Sequence, residues 1–160
     1  MSFSSAVATA RVAIPLSLIA FITMQAEPRQ VSSPSVRDQV TADESSCVAT
    51  LRVINVAQAT YWGGDPAKGY ASSLSELGPT GSGILDSVVA SGKKGGYSFR
   101  LFPKTGHRPI KRYIIIARPV KRLVKDQRSF FTDETSVIRF TTKNRSATAA
   151  DPPLDAPTQD

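Results

Sequence analysis

The sequence predicts an α+β fold, a long helix on the N-terminal side packed on a four-stranded antiparallel sheet. Three observations lead to that expectation. Apolar residues between Val36 and Tyr61 recur at spacings of three, four and seven, the pattern of one helix face. From Gly95 onward the apolar period falls to two, the pattern of half-buried strands. Turn residues separate the strand-like runs, so strands that follow one another pair as a meander.

The helix is expected to start near Ser33, with Ser33 as cap and Pro34 in the first helical position. Asp38, Asp43 and Glu44 fall in its early turns, where the helix dipole favours acids. Val36, Val40, Cys47, Leu51, Ile54 and Tyr61 form the apolar stripe, and Arg37, Gln39, Ser45, Arg52 and Asn55 fall mostly elsewhere. Gly63 and Gly64, followed by Pro66, mark its end. A loop over 63–72 leads to SLSE at 73–76, a capping-box pattern opening a very short helix that ends at Gly78. The glycine-rich GPTGSG at 78–83 lacks the P-loop lysine and any strand feeding it, so it reads as a loop. Residues 84–91 form a second short helical piece stopped by Gly92.

Four strands follow. Tyr97, Phe99 and Leu101 alternate with Ser98 and Arg100, and YIIIA at 113–117, closed by Pro119, suits a central strand. Residues 128–132 and 137–141 form a pair joined by a tight DETS connection at 133–136. Residues 146–160, with three prolines and three acids, read as an extended or disordered tail.

Ahead of the helix, residues 12–24 are apolar and uncharged and follow Arg11. Thirteen helical residues rise about 20 Å, short of the ~30 Å bilayer core, and suit the apolar region of a signal peptide. Residues 1–26 are accordingly expected to be a signal peptide, cleaved near Ala26, or a retained membrane anchor. Either reading predicts an exported protein, periplasmic, held at the inner membrane or displayed on the cell surface. Residues 27–35 serve as a linker, and 36–145 as the globular domain.

The chain's net charge of +7 is concentrated. Twelve lysines and arginines lie between Lys93 and Arg128 against one acid, Asp126. The clusters fall between strands: Lys104, Arg108, Lys111 and Arg112, then Lys121, Arg122 and Lys125. Two readings stand. The charge keeps strand edges from pairing with neighbours, or the seven residues bind an anionic polymer such as DNA or a glycan. Tyr97, Phe99, Phe102 and Tyr113 lie nearby and are able either to stack on bases or to fill the core. No helix-turn-helix, RNA-recognition or zinc-finger pattern accompanies the charge.

The residues for catalysis are sparse. One cysteine, Cys47, and one histidine, His107, exclude an internal disulfide and a four-ligand Cys/His zinc site. Cys47 reads as a buried thiol. His107 sits in a cationic loop, no G-x-S-x-G elbow is present, and Asp133 and Glu134 suit a turn. NRS at 144–146 fits the three-residue glycosylation pattern, which is common by chance. A non-enzyme with no cofactor and no metal is expected.

Several short runs carry a resemblance. These are LRVINVAQATY at 51–61, GY at 69–70, SLSELG at 73–78 and LDSVVASG at 85–92. GYSF at 96–99, RSFFTD at 128–133, VIR at 137–139 and DPPL at 151–154 follow. In this order and spacing they resemble the globular part of bacterial type IV pilin-like proteins, pseudopilins included. The resemblance implies a long helix on an antiparallel sheet. It also implies a structural or accessory subunit of a type IV pilus or type II secretion apparatus. Its partners would be other pilin-like subunits or envelope proteins, and the membrane if the N-terminal segment is uncleaved. Filament-forming members carry a basic leader ending in Gly, a following Phe or Met, and a long apolar stretch with an early glutamate. Here no glycine precedes Val12, no acid precedes Glu27, and Pro15, Pro28 and Pro34 interrupt the segment. The usual leader is not matched.

Overall fold

The computed structural model describes residues 33–155. The expected signal peptide or anchor at 1–26, most of the linker, and the last five residues lie outside the described residues. The order is α1 (Val36–Gly64), α2 (Leu74–Leu77), α3 (Ser87–Ala90), β1 (Lys93–Lys94), β2 (Tyr97–Pro103), β3 (Tyr113–Pro119), β4 (Ser129–Asp133) and β5 (Arg139–Thr141). The strands form one antiparallel sheet in the order β1-β2-β3-β4-β5. The α+β class holds, with a helix on an antiparallel sheet, but the sheet has five strands rather than four. Among the described residues no helix is long and apolar enough to cross a membrane.

The helix α1 starts two residues later than expected. Ser35 is the cap, its hydroxyl accepting from Asp38 N–H at 3.2 Å while Asp38 Oδ2 accepts from Ser35 N–H at 3.1 Å. Ser35 prevails over Ser33 because only Ser35 has an acid three residues on to close the box. At the other end Gly63 and Gly64 stay helical, and Pro66 keeps Asp65 out of the helical region, at φ −151 and ψ 86, which stops the helix.

The side of α1 facing the sheet carries Cys47, Leu51, Ile54 and Ala57, all at most 2% exposed. Opposing them are Tyr97, Phe99, Tyr113, Ile115, Ala117 and Phe130 from one side of β2–β4. Truncating a side chain such as Leu51 in this layer costs about 2–5 kcal/mol. Val36, expected on the stripe, is exposed, and Glu44, Asn55 and Gln58 are buried instead. Each of these polar groups has a distant partner. The Asn55 amide donates to Thr132 Oγ1 at 3.0 Å and accepts from the Tyr113 hydroxyl at 3.1 Å. Gln58 donates to the Ala71 carbonyl at 3.2 Å and accepts from the Ala71 N–H at 2.8 Å, fixing the loop after α1. That loop presses on the β2–β3 connection at Gly69, whose φ is +74 and where a Cβ would lie 2.3 Å from the Ile110 carbonyl oxygen.

The extra strand β1 arises from Gly95 and Gly96, both at positive φ, which turn Lys93–Lys94 back onto Tyr97 and Ser98. Two lysines carry no apolar alternation, so nothing in the pattern marked them as a strand. The 78–83 loop closes on itself: the N–H groups of Gly81 and Gly83 donate to the Gly78 carbonyl, and that of Ser82 to the Glu76 carbonyl.

Residues 146–154 are not a free tail. Pro152 accepts from Phe140 N–H, Leu154 N–H donates to the Ile138 carbonyl, and Leu154 packs on the core. The segment satisfies the outer edge of β5, so the folded domain extends to Leu154 rather than ending at 145.

Candidate anion-binding face

The strand register decides where the basic residues go. Tyr97 pairs with Pro119 and Pro103 with Tyr113, so the β2–β3 and β3–β4 connections leave from opposite ends of the sheet. Six residue steps at about 3.3 Å separate those ends by about 20 Å. Lys104, Arg108, Lys111 and Arg112 therefore lie at one end, and Lys121, Arg122 and Lys125 at the other. The seven do not form one site.

At the first end the arginines are already engaged. Arg108 is ion-paired to Glu76 and donates to the Lys68 carbonyl at 2.9 Å. Arg112 Nε meets Glu134 Oε1 at 2.6 Å. Burial works to raise the Glu76 carboxyl, but hydrogen bonds from Tyr61 and Ser72 and the Arg108 guanidinium outweigh it and hold it at about 2. The Arg108 contacts pin the β2–β3 connection to α2 and the loop after α1, and the Arg112 pair joins that connection to the β4–β5 hairpin. Lys104 and Lys111 stay exposed there.

At the second end Arg122 donates to the carbonyls of Lys125 and Thr142, holding its own loop in shape. Asp126 pairs with Arg37 at 2.9 Å. Arg128 sits over the rings of Phe130 and Phe140, 5.6 and 5.4 Å from their centroids, with Glu44 against its Nε at 2.6 Å. Lys121 and Lys125 are exposed, and Lys125 shares an open depression of about 740 Å3 with Lys143 and Asn144.

A further set of cations, outside the seven, lies on the sheet face turned away from α1. Register places Lys93, Ser98 and Arg118 side by side in one row, and Arg100, Ile116, Phe131 and Arg139 in the next. Lys93, Arg100, Phe102, Ile116, Arg118 and Val120 surround a groove of about 440 Å3, and no described residue lining it is acidic. Arg118 gives one hydrogen bond, to Asn144 Oδ1 at 3.2 Å. Arg100 is the one described arginine whose guanidinium finds no acid, carbonyl or amide among the described residues. Phe102 points to this face and is 40% exposed, while Tyr97, Phe99 and Tyr113 are buried in the core. The aromatic residues near the charge thus divide three to one in favour of packing.

Sequence reasoning missed this groove because its residues are scattered and become neighbours only through strand pairing. Alternation of Ser98, Arg100 and Phe102 against Tyr97, Phe99 and Leu101 was the available signal.

Cys47 is completely buried, and burial, with Glu44 adding to it, pushes its thiol up, so it stays protonated. His107 lies exposed in the β2–β3 connection. Among the described residues no group of His, Cys, Asp and Glu is placed to hold a metal ion. Comparison with protein-family models, with curated proteins and with solved structures found no match.

Proposed function

We propose that this chain is a non-catalytic, pilin-like envelope protein, a structural or accessory subunit associated with a type IV pilus or type II secretion apparatus. The observation that carries the reading is one-sided packing of α1. Its inner side is sealed against the sheet, while Val53 and Val56 on its outer side remain 50% and 66% exposed. With Ile84 and Leu85 they line an apolar depression of about 280 Å3. Apolar surface left open beside a long helix suits helix-to-helix packing against neighbouring pilin-like subunits. The order of the resembling runs between Leu51 and Leu154 supports the same reading.

Crosslinking tests it. A Val56→Cys variant places a thiol on the open side, and the buried Cys47 does not compete. Treating cells with a short bis-maleimide should give adducts of the variant with itself or with other pilin-like subunits. Adducts formed only at random positions, or none, would contradict the proposal.

A further inference from the structure

The outer groove offers a ligand two things at once. Its rim holds guanidinium and ammonium groups with few partners of their own, Arg100 having none among the described residues. Planar guanidinium forks match phosphate oxygens in a bidentate way. Its floor is apolar, with Phe102 at 40% and Val120 at 64% exposure beside Ile116. A purely ionic ligand would leave that floor facing water. A strand of nucleotides supplies phosphates for the rim and flat bases for the ring.

Shape narrows the choice. A duplex keeps its base faces stacked inside and would leave the exposed Phe102 ring without a base to stack on. An unpaired strand is able to lie across the face with its bases turned inward. The tract also continues: Asn144, which accepts from Arg118, lines the neighbouring depression with Lys125 and Lys143, where the one acid, Asp126, is paired with Arg37. That gives a path longer than one nucleotide.

We propose that the outer face of the sheet binds single-stranded nucleic acid, with Arg100 and Arg118 on phosphates and Phe102 stacked on a base. This inference does not depend on the pilin-like reading, since it requires only that the β1–β3 part of the outer face be open.

The test is fluorescence anisotropy of a short labelled oligo(dT) titrated with the full 160-residue chain over a range of salt. The unaltered protein should bind, with affinity falling steeply as salt rises. The double variant Arg100→Ala, Arg118→Ala should lose about tenfold or more, and its salt slope should fall by about 1.4, ~0.7 for each phosphate contact. Phe102→Ala should lose about tenfold with the slope unchanged. Circular dichroism melts of each variant separate a binding loss from unfolding, and Arg100→Gln provides a milder replacement. No binding at low salt, or an unchanged affinity in the double variant, would overturn the proposal. So would full affinity in Phe102→Ala, or displacement by a sulfated glycan of matched charge as effectively as by unlabelled oligo(dT).

Discussion

Where β2 hands over to β3, Arg108 is bound by Glu76 and the Lys68 carbonyl, and Arg112 by Glu134. On the outer face and at the opposite end, Lys93, Arg100, Lys121 and Lys125 meet no acid among the described residues. In the sequence the two regions look alike, since both fall within the basic stretch 93–128. They differ in where the fold delivers acids. Glu76 comes from a short helix and Glu134 from a hairpin, both at the β2–β3 end. At the β3–β4 end, Glu44 and Asp126 are used by Arg128 and Arg37. Basic residues therefore serve two purposes here: Arg108, Arg112 and Arg122 anchor loops, while Lys93 and Arg100 present charge.

Removing Glu44 should have the largest effect. Its carboxylate is 9% exposed and holds the backbone and guanidinium of Arg128 where β4 begins. Glu44→Ala strands a half-buried guanidinium and should cost about 3 kcal/mol in urea unfolding. A cost below about 1 kcal/mol would mean that solvent compensates Arg128 fully.

Glu76→Gln is the next largest. It removes the ion pair to Arg108 and should cost about 1.5–3 kcal/mol at neutral pH. The pH dependence has a defined sign. The folded carboxyl titrates at about 2, below its ordinary 4.5. The stabilisation is complete above pH 4.5 and is lost as pH falls toward 2. Unfolding curves for the Gln variant should therefore converge on those of the unaltered protein as the medium is acidified through this window. Parallel curves would show that the ion pair contributes nothing.

The smallest effect belongs to the exposed lysines of the anchoring end. Lys104→Ala with Lys111→Ala should change stability by no more than about 0.5 kcal/mol in the same measurement. A larger loss would place them in a contact network, as their arginine neighbours are.

Much of the fold is legible in the sequence, and the reason is periodicity. The stripe through Cys47, Leu51 and Ile54 and the alternation Tyr97, Phe99 and Leu101 are local signals, and both became the core. Glu44, Asn55 and Gln58 were not legible as buried groups. Glu44 and Asn55 find their partners, Arg128 and Thr132, 84 and 77 residues away, while Gln58 grips a loop 13 residues on. The docking of residues 152–154 was hidden for a similar reason, since prolines and acids suggest solvent until a strand edge needs covering. Charge density correctly marked residues 93–128 as basic. It could not tell anchored arginines from open ones, because that depends on acids brought from elsewhere. Nor could it assemble Lys93, Arg100 and Arg118, which are neighbours only in the register Lys93–Ser98–Arg118.

One paired measurement tests directly whether an oligonucleotide is held by the outer face and not by the exposed lysines of the anchoring end. It is the slope of oligo(dT) affinity against salt for Arg100→Ala, Arg118→Ala beside Lys104→Ala, Lys111→Ala. The slope should fall by about 1.4 for the arginine pair and stay unchanged for the lysine pair. The reverse pattern, or equal reductions in both, would contradict the proposal.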